Sequence, residues 1–137
     1  MALLSKKINY GIAAMYELAK NYHIGKLQLS AISEAQKIPK TFLVQVLLQL
    51  KQHDLVETIR GNQGGYRLKN SPQSTTILDI ISALAAFELI EYEGGCPILQ
   101  KFWGDAEEKI IELFSQTTLA DLTYDYEKLQ DMVSFHI

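Results

Sequence analysis

A chain of 137 residues, 47% of them hydrophobic, can bury a core of its own as one domain, and with no run of about 18 apolar residues it offers no candidate membrane span. Cys96 is the only cysteine, so one chain makes neither an internal disulfide nor a cysteine-only metal site, and with no signal-like start the expected setting is a reducing cytoplasm. The net charge of −3 divides unevenly: residues 1–70 carry ten Lys/Arg against four Asp/Glu, a net of +6, and residues 71–137 carry three against twelve, a net of −9, so only the first half suits a polyanion.

The spacing of Ile8, Ile12, Met15, Leu18 and Ala19 predicts a helix over 5–22, capped by Ser5 and stopped near Gly25. A short second helix is expected over 29–37, with Leu29, Ile32 and Ala35 inward. Ile38-Pro39 breaks it, because a residue before proline leaves the helical region while proline itself suits a first helical turn. The third helix follows over 39–53, burying Phe42, Leu43, Val46, Leu47 and Leu50 and turning Lys40, Thr41, Val44, Gln45, Leu48 and Lys51 outward. Two short helices joined by a tight turn after a longer one make a helix-turn-helix.

Two short strands, at 55–59 and 66–68, flank Arg60-Gly61-Asn62-Gln63-Gly64-Gly65 and read as a β-hairpin. Helical spacing returns over 77–90 through Ile77, Ile80, Ile81, Leu84 and Phe87, with Asp79 in the first turn. After a loop over 91–97, a helix over 98–115 sets Leu99, Phe102, Trp103, Ala106, Ile110, Leu113 and Phe114 on one broad face. Thr117 or Thr118 caps a last helical turn, and residues 124–137 are weakly patterned. The expected fold is mainly α with a small β-hairpin wing: a winged helix-turn-helix domain over 1–75, then a helical dimerisation and sensor region over 76–137.

A helix fits the major groove of DNA and reads it from its first turns. Gln45 suits adenine, Val44 a thymine methyl, and Lys40 a phosphate, with Thr41 beside them. In the hairpin, Gly61, Gly64 and Gly65 allow left-handed angles and close backbone approach, and Arg60 at the shoulder suits a phosphate or a minor-groove edge. Arg67 adds charge on the return strand. A phosphate-binding nucleotide loop fits poorly, since no helix follows the glycines and no Gly-Lys-Ser/Thr ends them.

Together these segments resemble the Rrf-two family of bacterial winged helix-turn-helix regulators. The resemblance runs from Ser5 to about Leu122. It is carried by Tyr10-Gly11, Ile38-Pro39-Lys40-Thr41-Phe42-Leu43, Asp54-Leu55-Val56, Arg60-Gly61, Gly64-Gly65-Tyr66, Leu78-Asp79-Ile80-Ile81, Cys96-Pro97, Trp103 and Thr118-Leu119-Ala120-Asp121-Leu122. It implies a homodimeric regulator, expected to be a repressor, on double-stranded DNA with a palindromic operator. By the same resemblance Ser5, Lys6 and Tyr10 contact the backbone, Thr41, Val44 and Gln45 face bases, and the wing from Arg60 to Tyr66 enters the minor groove or clamps phosphate. The 98–115 helix pairs with its copy, and its wide apolar face independently asks for more cover than a small wing domain gives.

The chain departs from the family pattern in two places. Val44 stands where cluster-binding members carry a glutamate, which implies a different operator. Those members hold their cluster on three cysteines before the dimer helix, and here Cys96 is alone, with Asn9 at the position of an additional ligand and His23, His53 and His136 elsewhere. No iron–sulfur cluster or other cofactor is therefore expected. Cys96 reads first as a small buried residue ahead of Pro97, and alternatively as an exposed thiol that senses oxidation or pairs between subunits. A small effector in the dimer groove or a protein partner is the other source of signal. Two further function classes stand beside the DNA regulator. One is a protein-interaction module on the same fold, motivated by the outward apolar Val44 and Leu48. The other is an enzyme, for which no nucleophile–base pair, metal spacing or paired carboxylates are found.

Overall fold

The computed structural model describes residues 5–85 and 90–135. Phe87, the expected last turn of its helix, and His136 lie outside them. The helices are α1 (Lys6–Lys20), α2 (Leu29–Gln36), α3 (Lys40–Gln52), α4 (Ile77–Leu84), α5 (Pro97–Gln116) and α6 (Leu119–Phe135), and the hairpin is β1 (Val56–Ile59) with β2 (Gly65–Leu68). Short 3-10 turns sit at Tyr22–Ile24 and Pro72–Ser74. The architecture is mainly helical with an antiparallel two-stranded wing, as the periodicities imply.

Ser5 caps α1 by accepting the Ile8 N–H at 3.3 Å. The helix buries the predicted stripe, Ile8, Met15, Leu18 and Ala19, with Ile12 half-buried. Gly11 is where α1 crosses α4: a Cβ there would stand 2.1 Å from Leu84 Cδ1, so a side chain at this position requires Leu84 to shift. α2 ends because Lys37 adopts the left-handed conformation (φ 54°, ψ 47°). The Ser33 side chain then holds the turn by donating to the Ile38 carbonyl at 2.6 Å. Pro39 lies at the cap of α3 (φ −56°, ψ 132°) rather than inside its first turn. Its carbonyl accepts the N–H groups of Phe42 and Leu43. Ala35 is exposed, contrary to expectation, because so short a helix buries only Ile32 fully.

α3 delivers Leu43, Val46, Leu47 and Leu50 to the core, where they join residues of α1, α2, the hairpin, α4 and Leu119 in a single hydrophobic cluster. The hairpin pairs Val56 with Leu68 and Ile59 with Gly65. It gains a one-residue third strand: Leu27, between α1 and α2, exchanges both backbone hydrogen bonds with Tyr66 at 2.9 and 2.8 Å. A Cβ at Gly65 would lie 2.4 Å from the Leu27 carbonyl oxygen. The glycine is thus demanded by close approach and not by a left-handed angle.

The second half differs more from expectation. α4 stops at Leu84, where Ala85 turns extended (φ −141°, ψ 143°). It starts with a capping box between Thr76 and Asp79. The segment after Thr118 is no single turn: α6 is a full helix of 17 residues and packs on α1, Tyr126 meeting Tyr16 edge-on with ring centroids 6.3 Å apart. Its pattern is weak because Leu119 is buried while Tyr124, Leu129, Met132 and Val133 are exposed. Backbone hydrogen bonds from Ile77 to the Thr117 carbonyl and from Leu119 to the Thr75 carbonyl tie the starts of α4 and α6 together, each at 2.9 Å. Among the described residues no helix is long and apolar enough to cross a membrane.

Replacing Gly65 by Ala forces β2 away from Leu27. Overpacking against a fixed backbone is expected to cost about 1–3 kcal/mol, read as a lower urea midpoint at unchanged slope. An unchanged midpoint would show that the Leu27–Tyr66 pairing has slack.

Candidate nucleic-acid interface

The outward residues of α3 come out as the periodicity requires. Lys40, Thr41, Val44, Gln45, Leu48 and Lys51 are all exposed or half-exposed on one side of the helix. The mechanism is simple: the helix spends one side on the core, and residues at i, i+1, i+4, i+5 and i+8 from Lys40 form the opposite stripe. Val44 and Leu48 are 43% and 52% exposed. They form an apolar strip one turn apart, flanked by the amide of Gln45 and the hydroxyl of Thr41. Lys40 opens the helix, and Lys37 sits in the left-handed turn before it.

In the wing, Arg60 leaves β1 into solvent and Gly61 takes a positive φ of 125° that a side chain would oppose. Gly64 closes the loop by donating to the Gly61 carbonyl at 3.0 Å, and a Cβ on it would meet the Ile59 carbonyl oxygen at 2.4 Å. Of the three loop glycines, then, only Gly61 needs left-handed freedom, and Gly64 and Gly65 need the absence of a side chain. Tyr66 is half-buried, with its backbone committed to Leu27.

Not every cation of the basic half is free to meet an anion. Arg67 is held by Glu57 across the hairpin at 2.5 Å, so the charge expected from the return strand is neutralised locally. Lys69 bridges Asp54 at 2.8 Å. Lys69 holds the Asp54 carboxyl below the usual carboxylate range, and Asp54 in turn raises the Lys69 ammonium. Among the described residues Lys40 and Arg60 make no ion pair, which leaves them as cations of the two candidate DNA-reading elements.

The residues expected at the first helix are arranged less simply. Lys6 is exposed at the start of α1. The Ser5 hydroxyl is engaged as the cap of that helix. Tyr10 is half-buried and packs edge-on against Phe42 of α3, ring centroids 5.2 Å apart. It therefore braces α3 from behind, whatever its hydroxyl reaches.

The candidate dimer face lies on α5. None of its 20 residues is buried. Leu99, Phe102, Trp103 and Leu113 are exposed, while Ala106, Ile110 and Phe114 are half-buried, Phe114 packing against the core. The predicted broad face thus splits: an inner edge is half-buried, with Phe114 on the core, and the outer edge, with Ile98 added, is exposed. Cys96 occupies the N-cap position of α5 without a side-chain capping hydrogen bond and is exposed, which overturns the reading of a small buried residue; the loop before it, with Gly94 and Gly95, carries little side-chain bulk to cover it. Among the described residues no three His, Cys, Asp or Glu side chains gather as a metal-holding group.

One cluster has no counterpart in the sequence reading. Glu17, 5% exposed, accepts from the Gln36 side chain at 2.6 Å and from Lys20 at 3.0 Å. Desolvation works against the Lys20 charge, but the hydrogen bond and charge of Glu17, with smaller contributions from Tyr126 and Tyr16, carry its pKa above the ordinary value. The signal available for it is a glutamate inside the otherwise apolar run Ala14-Met15-Tyr16-Glu17-Leu18-Ala19.

Comparison with known proteins places this geometry. The family model Rrf2, described as an iron-dependent transcriptional regulator, matches residues 4–125. The regulator CymR of Bacillus subtilis is 32% identical, over 98% of this chain and 99% of its own length. IscR of Klebsiella pneumoniae is 30% identical, over 92% and 82%. Among solved structures, T. potens IscR superposes with a TM-score of 0.82 at 31% identity, covering 93% of this chain and 90% of its own. CymR of B. subtilis, titled the global cysteine regulator, also gives 0.82, at 32% identity, covering 90% and 98%.

Alanine at Lys40 is expected to weaken duplex binding evenly across sequences and to reduce the salt slope by about one, the share of a single neutralised phosphate. Alanine at Gln45 is expected to cost about 1–3 kcal/mol on the preferred sequence and to relax its choice. Fluorescence anisotropy over a salt series reads both. Parent-like affinity in Lys40→Ala and Arg60→Ala together rejects this placement of the DNA face.

Proposed function

The chain belongs to the Rrf2 family of transcriptional regulators, and from that premise we propose that it acts as a homodimeric repressor on a palindromic operator. It is a DNA-binding regulator of the winged helix-turn-helix type and not an enzyme. Within our proposal α3 enters the major groove, with Thr41, Val44 and Gln45 toward the bases and Lys40 toward phosphate. Arg60 and the wing loop reach the neighbouring minor groove or its phosphates, and Lys6 with the α1 start meets the backbone. Val44 in place of an acidic reader favours a site with thymine methyls facing the groove. The expected working compartment is the cytoplasm.

The observation that carries the dimer is the outer edge of α5. Ile98, Leu99, Phe102 and Leu113 are 79%, 46%, 56% and 60% exposed on one helix. A contiguous apolar face of that kind on a small domain marks an interaction surface. A second copy covers it with the same face under two-fold symmetry. Two α3 helices then address two half-sites about one helical turn of DNA apart. The same exposure at Val44 and Leu48 motivates the second reading, a protein-interaction module that no longer binds DNA.

We read this regulator as cluster-free, although its family model is described as iron-dependent. Iron–sulfur clusters are held by several thiolates, and this chain supplies Cys96 alone, so the residues present do not fit the group. Its exposure makes Cys96 a candidate for oxidation or for pairing between subunits, and signalling through it is a separate proposal from the dimer.

Phe102→Asp and Leu113→Asp place charge on the outer edge of α5 without touching the core. Each is expected to halve the sedimenting mass, to leave the far-UV circular dichroism unchanged, and to abolish tight operator binding while weak non-specific binding persists. A parent of single-chain mass at micromolar concentration would sink the dimer. Retention of no genomic fragment by the purified parent, with a protein captured through Val44 and Leu48, would favour the second reading.

A further inference from the structure

A cleft of about 360 Å³ lies between the end of α1, the Pro72–Ser74 turn and α6, and no residue of α3, the hairpin or α5 lines it. Its size sits at the lower end of small-molecule sites. The residues that line it include Lys20, His23, Tyr22, Tyr124 and Tyr126 against a single carboxylate, Glu127, with Lys20 already paired to Glu17 behind the cleft. The three tyrosine rings also offer flat apolar surface. An anion on an aromatic body satisfies both features, and an organic cation satisfies only the rings and Glu127.

Lys20 makes the cleft more than a surface depression. Its ammonium lies 4.7 Å from the Tyr126 ring centroid and 5.4 Å from that of Tyr16. It also neutralises the buried Glu17 at 3.0 Å. The same Glu17 oxygen accepts the Gln36 amide at 2.6 Å, and Gln36 is the last residue of α2, directly before the turn into α3. A carboxylate in the cleft competes with Glu17 for Lys20, and where it wins it leaves Glu17 buried with the amide of Gln36 as its remaining partner. An uncompensated buried charge is costly, and the strain falls on the end of α2.

We propose that this cleft binds a small aromatic carboxylate, and that the chain Lys20–Glu17–Gln36 transmits its occupancy to the helix-turn-helix. The second clause rests on the DNA-binding reading given above; the first does not. Binding and response are therefore separable by experiment.

The first arm uses the intact protein without DNA. Isothermal titration with benzoate, salicylate and phenylacetate is expected to give saturable binding at about 1 mM or tighter, and benzylamine none. Lys20→Met and Tyr124→Ala are each expected to weaken binding at least tenfold. Tyr124 is 64% exposed, so its removal leaves the fold intact even if Lys20→Met does not fold. Equal heats for the carboxylates and benzylamine, no saturable binding by any of the three, or parent-like binding in Tyr124→Ala overturns the site. The second arm measures operator affinity with and without the carboxylate that binds best. The expected shift is at least about fivefold, with DNA shifting ligand affinity by the same factor. In Gln36→Met the ligand still binds and that shift is lost. A shift undiminished in Gln36→Met overturns the relay while leaving the site. An unliganded protein that binds no duplex at all counts against the DNA reading and not against the cleft.

Discussion

Two residues far apart in the chain, Leu27 and Tyr66, exchange both of their backbone hydrogen bonds. Much of the candidate DNA face depends on that exchange. A two-stranded hairpin alone is marginal in water, and β1 and β2 have four residues each. By pairing with the segment that leads into α2, the hairpin becomes part of the helix-turn-helix frame rather than an appendage. Arg60 and α3 are then held by one rigid piece. Gly65 is the sequence condition for this, because any side chain there would strike the Leu27 carbonyl.

A second backbone exchange does for the distal half what the first does for the wing. Thr76 and Thr118 face each other as an isolated antiparallel bridge, and each opens a helix with a reciprocal aspartate contact, to Asp79 and to Asp121. The starts of α4 and α6 are thereby clamped together, and Leu119 is driven into the core. α5 is held at its end by this clamp and along its inner edge by α4. It needs no buried residue of its own to be oriented, which leaves its outer edge available.

How much of this is legible in the sequence follows from which interactions are periodic. The α1 and α3 stripes, the Ser5 cap and the glycine-rich hairpin are readable because each is written in neighbouring residues. The exposed stripe from Lys40 to Lys51 emerges intact for the same reason. What escapes depends on partners distant in sequence. The Leu27 and Thr76 bridges are single backbone pairs with no side-chain signature. Lys37 adopts a left-handed angle usually left to glycine or asparagine, so Pro39 alone signals the turn. α6 is hidden because burial of little beyond Leu119 leaves no stripe. Ala35 is misplaced because extrapolating an apolar period assumes a helix long enough to have two covered turns. Glu17 hides inside an apolar run, although a charge there can be buried only with partners, in this case Lys20 and Gln36.

The distribution of free charge bears on how such a face reads DNA. Two of the cations closest to the wing, Arg67 and Lys69, are spent on Glu57 and Asp54, and the second half of the chain is strongly acidic. Sequence-independent attraction scales with the phosphates actually neutralised, so within the proposed reading Arg67 and Lys69 add little to it, and it falls to Lys40, Arg60 and the other cations of the first half that make no ion pair among the described residues. Such contacts position a protein on the duplex, and choice of sequence comes from fit within the groove. Val44 and Leu48 contribute to that fit in a way lysines cannot: they gain only where thymine methyls or a matching groove shape remove them from water. The apolar strip on α3 therefore adds discrimination that charge alone does not supply, and the same strip that raised the idea of a protein partner is consistent with a selective DNA face.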